Sequence, residues 1–156
     1  MKKFKIISAF IFLLLLNIVS SCSDEDDTTV VNNSVDPTPV INVVNNGTWR
    51  ITLFNDSGVD ETLNFTDYDF SFGASNILSA TNGTNTYSGT WSVTSDNSND
   101  DSPSNDLDFN IAFATPPNFE ELTEDWNILE KTDSKIKLVH ISGGSGGTDY
   151  ITFEKN

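Results

Sequence analysis

The stretch Ile77-Leu78-Ser79-Ala80-Thr81-Asn82-Gly83-Thr84-Asn85-Thr86-Tyr87-Ser88-Gly89-Thr90-Trp91-Ser92-Val93 places two short runs on either side of Asn82-Gly83. Asn-Gly is a strong hairpin signal, because both residues accept the positive φ of a tight β-turn. Ile77–Thr81 and Asn85–Val93 are therefore predicted to be antiparallel strands. The same short alternating runs, broken by Gly, Asn and Asp, recur from Asn45 onward. Upstream, Thr48–Asn55 sets Trp49, Ile51 and Leu53 on one face against Arg50 and Thr52, and Tyr68, Phe70 and Phe72 alternate with Asp69 and Ser71. Downstream come Leu107–Ala114, Trp126–Lys131, Lys135–Ser142 and Tyr150–Glu154.

Consecutive antiparallel strands with few long connections predict an all-β, eight-stranded up-and-down barrel, since closure removes exposed edges. A two-sheet sandwich is the competing architecture, although no Cys-Trp-Cys arrangement supports its immunoglobulin form. One helix is expected after Pro116-Pro117. Asn118 would cap it, Glu121 would reach back as in a capping box, and Asp125 or Trp126 would end it after about two turns.

Alternation assigns Trp49, Ile51, Leu53, Phe70, Phe72, Trp91, Phe109, Ile111, Phe113 and Ile128 to the inside. A barrel of this size is either filled by side chains or holds one small ligand, and the bulk of this set favours filling. Trp49, Tyr68, Phe70, Trp91, Phe109 and Trp126 are thus read as core first and ligand-binding second.

The first thirty residues speak to location. Lys2, Lys3 and Lys5 form a basic start, and Ile6–Leu16 is almost wholly apolar but too short to span a bilayer, as in a secretory signal. Val19-Ser20-Ser21-Cys22 resembles the lipobox of bacterial lipoproteins, which implies cleavage before Cys22 and fatty acyl chains, palmitate among them, anchoring that residue to a membrane. Cys22 is the only cysteine, so no intramolecular disulfide can form. Ser23-Asp24-Glu25-Asp26-Asp27 serves as a solvated tether, and it also resembles the surface-export signal of lipoproteins from Bacteroidota and flavobacteria. That resemblance implies the outer face of the outer membrane, with a periplasm-facing position as the alternative. The expected organisation is a signal peptide over 1–21, a lipidated acidic and polar linker over 22–44, and a barrel domain over 45–156. A flexible linker of that length spans about 25 Å.

A family resemblance carries the fold further. Gly47-Thr48-Trp49 resembles the Gly-x-Trp that opens lipocalins. Tyr68-Asp69-Phe70-Ser71-Phe72, Gly89-Thr90-Trp91-Ser92, Trp126-Asn127-Ile128 and the hairpin around Thr132-Asp133-Ser134 continue the pattern. Together they resemble the lipocalin-like lipoproteins of Bacteroidota over residues 45–155. In lipocalins an Arg near the last strand stacks on the Gly-x-Trp tryptophan. The only arginine here is Arg50, beside Trp49, and Lys155 is the nearest cation late in the chain.

Charge limits the partners. The 156 residues carry a formal charge of −15, and loss of Lys2, Lys3 and Lys5 leaves 5 basic against 23 acidic residues, or −18. Such a surface repels phosphate backbones and anionic headgroups, which excludes nucleic acid and leaves membrane attachment to the anchor.

Catalysis finds little support in these residues. His140 is the single histidine, and Gly143-Gly144-Ser145-Gly146-Gly147, though it spells Gly-x-Ser-x-Gly, joins two strands and reads as a hairpin loop rather than a nucleophile elbow. Asp67/Asp69 and Asp106/Asp108 read as solvated faces, not a paired-carboxyl cleft. Asp96–Ser102 offers oxygen ligands for Ca²⁺, but Asp101 stands where an EF-hand loop has glycine and Leu107 where it has its bidentate glutamate. Zinc is disfavoured with one histidine and no free thiolate. The expectation is a non-catalytic protein with no cofactor and no metal. It would bind either a small hydrophobic ligand through the barrel mouth or a basic protein partner through the acidic loops Asp56–Glu61 and Asp96–Asp106.

Overall fold

A computed structural model of the protein describes residues 35–95, 107–144 and 146–156. In chain order these residues form helix α1 (Thr38–Val44), strands β1 (Trp49–Asp56), β2 (Val59–Asp60), β3 (Asp69–Phe72), β4 (Ile77–Thr81), β5 (Thr86–Ser95) and β6 (Leu107–Ala112), helix α2 (Pro117–Glu120), and strands β7 (Glu124–Lys131), β8 (Lys135–Ile141) and β9 (Thr148–Lys155). Every pairing is antiparallel, β3 to β9 follow one another in the sheet, and β1 pairs with both β3 and β9. The result is a closed eight-stranded up-and-down barrel of the lipocalin-like kind; β2 is a two-residue return against the end of β1.

The hairpin turns around Asn82-Gly83, but as a four-residue loop between paired Thr81 and Thr86 in which only Gly83, not Asn82, takes positive φ. Asn82 Oδ1 accepts the amides of Thr84 and Asn85, at 3.1 and 2.8 Å, while Gly83 takes φ +82°. Gly89 is required for another reason. A Cβ there would run into the Ala112 carbonyl oxygen and stand 2.8 Å from Phe113 Cδ1, so only glycine lets β5 and the end of β6 approach so closely.

β1 departs from strict alternation. A bulge between Ile51 and Leu53 shifts the register against β9, so Phe54 turns inward (1% exposed) and Leu53 turns outward (39%). The inward assignment of Leu53 is corrected accordingly. A second irregularity, between Ile128 and Glu130, leaves Ile128 half-buried at the margin of the core.

Two helices also differ from what the sequence led us to expect. Residues 38–44, read as the end of a linker, form α1. Pro39 sits in the first turn, where its missing N–H costs nothing. Val40 and Val44, four apart, bury one helical face, and the Asp36 carboxylate accepts the Thr38 amide at 2.9 Å. The barrel domain therefore starts before Asn45. At α2, Pro116 rather than Asn118 holds the cap position, and the helix is a single turn. The Asn118 side-chain amide points at the Asn64 carbonyl oxygen (3.5 Å), and β7 has begun by Glu124, ahead of the expected helix end.

Candidate functional site

The barrel interior is the first place to look for a ligand, and side chains occupy it. Phe72 on β3 meets Trp91 on β5, Phe109 on β6 and Phe153 on β9 at ring-centroid distances of 5.4, 5.5 and 5.5 Å, all edge-on. Strands that share no hydrogen-bond ladder thus touch across the axis. Edge-to-face packing matches the ring quadrupoles and fills the space at interior density.

Both ends are stoppered. At one end α1 lies against Trp49, whose indole N–H donates to the Val44 carbonyl oxygen at 2.9 Å. At the other, Phe119 of α2 is fully buried and contacts Phe65, Tyr68, Phe70, Tyr87 and Phe113 within 6.0 Å. Where β1 and β3 part beyond the Trp49–Phe70 pair, the turn Thr62–Phe65 brings Phe65 over the gap, 5.3 Å from Phe54. The other two tryptophans also spend their N–H on backbone, Trp91 on Gly73 (3.0 Å) and Trp126 on Leu122 (3.1 Å).

Trp49, Phe70, Trp91, Phe109 and Trp126 are therefore all buried together. Tyr68 stands apart from them. It is half-buried at the α2 end and stacks on Tyr87 with centroids 5.8 Å apart; the hydrogen bond between them holds the Tyr87 phenol above its ordinary range. Lys155 lies over the Trp49 ring, with Nζ 5.3 Å from its centroid, as a cation–π pair. Gly47, at φ +98°, leaves room for that lysine stem. Cys22, the loop Asp96–Asp106 and Ser145 lie outside the described residues.

The exterior is electrically uneven. All five cations that follow Lys5 in the chain stand where β1, β8 and β9 pair or at the β7–β8 turn, and several are neutralised locally: Lys135–Glu154 at 3.0 Å, Lys137–Glu130 at 2.7 Å and Arg50–Glu154 at 3.9 Å. The α2 end is acidic. Asp56, Glu61 and Glu121 gather there; burial first, and then the Glu61 hydrogen bond and the charges of Glu61 and Asp56, push the Glu121 carboxyl above its usual range. The loop Asp56–Glu61 belongs to this acidic end, as does Asp149, a buried carboxylate that accepts the Ser57 amide (2.8 Å) and hydroxyl (3.1 Å).

His140 pairs with Asp149 in the β8–β9 ladder and faces two further acids on β7. Its Nε2 is 3.4 Å from Glu124 Oε2, and its Nδ1 is 3.3 Å from Asp125 Oδ1 and 3.2 Å from the Asp125 carbonyl oxygen. Reading the sequence missed this grouping, because Glu124-Asp125 and His140 meet only through the β7–β8 register. The signal available was a lone histidine near the end of a strand whose hairpin partner opens on two acids. Glu124 and Asp125 also edge an open cleft of about 600 Å³ that Trp91, Ser92, Asn110 and Ile111 help to line.

Compared with known proteins, the chain matches no family model, no curated protein and no solved structure.

Proposed function

We propose that this protein is a non-catalytic lipoprotein, anchored through Cys22 at the outer face of the outer membrane, that binds a basic protein partner through the acidic α2 end of its barrel. The observation that carries the choice of exterior over lumen is Phe72 meeting Trp91, Phe109 and Phe153 across the axis. A ligand of drug-like size needs a pocket of about 300 Å³ or more, and these rings stand where it would lie. The acidic end supplies the complementary field for a cationic partner, which steers encounter and suppresses anionic competitors. The anchor reading rests on Val19-Ser20-Ser21-Cys22.

Titration with a hydrophobic fluorescent probe, read by tryptophan quenching, tests the lumen. The expected result is no saturable binding. A one-to-one complex that quenches Trp49 and Trp91 would replace this reading with that of a small-ligand carrier. The interaction itself is tested by capturing partners on the immobilised domain and raising salt, which screens exposed charge pairs; partners that resist the wash would count against the electrostatic account. Cys22→Ser is expected to release the protein from the membrane fraction.

A further inference from the structure

The His140 group has the makings of a metal centre. His140, Glu124 and Asp125 each offer a ligand atom within 4.8 Å of the others. Nδ1 faces two oxygens that only accept, the Asp125 carbonyl at 3.2 Å and its carboxylate at 3.3 Å, so the ring proton belongs on Nδ1. That leaves the Nε2 lone pair directed toward Glu124 Oε2 at 3.4 Å. The spacing is too long for a charge-assisted N–H···O bond, which closes to about 2.7–2.9 Å. It equals the N···O edge of a tetrahedron around Zn²⁺, about 3.4 Å for metal–ligand bonds near 2.1 Å. The bond from Nδ1 to a backbone carbonyl is also the outer-shell contact that fixes tautomer and ring orientation in metal-ligating histidines.

We propose that His140 Nε2, Glu124 and Asp125 bind a divalent transition cation of the Zn²⁺ class. One imidazole and two carboxylates form a borderline-to-hard donor set that suits Zn²⁺, Co²⁺ or Mn²⁺ better than a thiophilic ion. The two carboxylates neutralise the cation. Asp149, paired with His140 in the β8–β9 ladder, deepens the negative potential without being needed as a ligand. The Asp125 side chain is 70% exposed and free to swing toward Nε2, while His140, at 18%, is held against Trp126 with ring centroids 6.2 Å apart. Three protein ligands leave the fourth position to solvent, which already reaches the exposed Asp125 side chain.

The test uses the full domain with Zn²⁺ measured calorimetrically and Co²⁺ measured by visible absorption. The expected result is one Zn²⁺ per chain, Co²⁺ bands of four-coordinate intensity, and competition by Zn²⁺ but not by Ca²⁺ at equal concentration. His140→Ala and, separately, Glu124→Gln should each weaken Zn²⁺ binding at least about tenfold and erase the Co²⁺ bands. Should His140→Ala disturb the packing against Trp126, seen as a changed near-ultraviolet dichroism spectrum, Glu124→Gln decides alone. Absence of Zn²⁺ binding, affinity unchanged in Glu124→Gln, or equal displacement by Ca²⁺ would overturn the proposal, the last two pointing to diffuse attraction by the acidic end.

Discussion

Replacing Phe72 by alanine tests how the barrel is filled. Phe72 is 3% exposed and holds edge-on contacts with Trp91, Phe109 and Phe153. Phe→Ala in a core costs about 3–5 kcal/mol, the transfer of the lost carbons plus the cavity left behind. Each aromatic pair is worth about 0.5–1.5 kcal/mol beyond its buried area. With three pairs lost at a site walled by rigid strands, which cannot collapse into the gap, the upper part of that range applies: about 4–5 kcal/mol. A domain of this size has about 5–15 kcal/mol in total, so Phe72→Ala should forfeit a large share of its stability at 25 °C. Urea unfolding followed by tryptophan fluorescence reads the loss as a shift in midpoint at constant slope. The vacated space is apolar and enclosed by rings, so the variant should also take up a benzene-sized ligand that the wild type refuses, with partial recovery of the midpoint. A loss below about 2 kcal/mol, or equal uptake by wild type and variant, would refute the claim that side chains fill the axis.

Gly89→Ala drives a Cβ into the Ala112 carbonyl oxygen and to within 2.8 Å of Phe113 Cδ1; overpacking of this kind costs about 1–3 kcal/mol, whereas Gly143→Ala, which meets nothing within 4 Å, should leave the urea midpoint in place. Val44→Asp places a charge at a fully buried position under α1 and should cost more than about 3 kcal/mol; a nearly unchanged midpoint would mean that α1 does not close the barrel end. Glu121 gives a pH prediction whose sign follows from its raised carboxyl pKa: the folded state holds the proton more tightly than the unfolded chain, so its contribution grows as pH falls through the folded value and is unfavourable above it. Glu121→Gln should therefore raise the thermal midpoint at pH 7 and lose that advantage by pH 4, and a gain that is the same at both pH values would exclude this cause.

The alternation of Trp49-Arg50-Ile51, of Phe70-Ser71-Phe72 and of the runs flanking Asn82-Gly83 was enough to locate eight strands and their closure. A period of two, interrupted by residues that accept positive φ, has few other stable outcomes once one face of every strand must be buried. The reading failed where a residue's role depends on what packs against it. Nothing in Ile51-Thr52-Leu53-Phe54 announces the bulge that exchanges Leu53 for Phe54, because that register is set by β9, about a hundred residues away. Pro37-Thr38-Pro39 looks like a stiff spacer until Val40 and Val44 find a barrel end to cover; a seven-residue helix owes its stability to that docking and not to propensity. The grouping of His140 with Glu124 and Asp125 is likewise a product of strand pairing. Sequence alone determined the chain's class and its acidity, since periodicity and charge are local properties. Only the tertiary structure decided that the lumen is occupied and which polar groups face one another, since both follow from contacts between residues far apart in the chain.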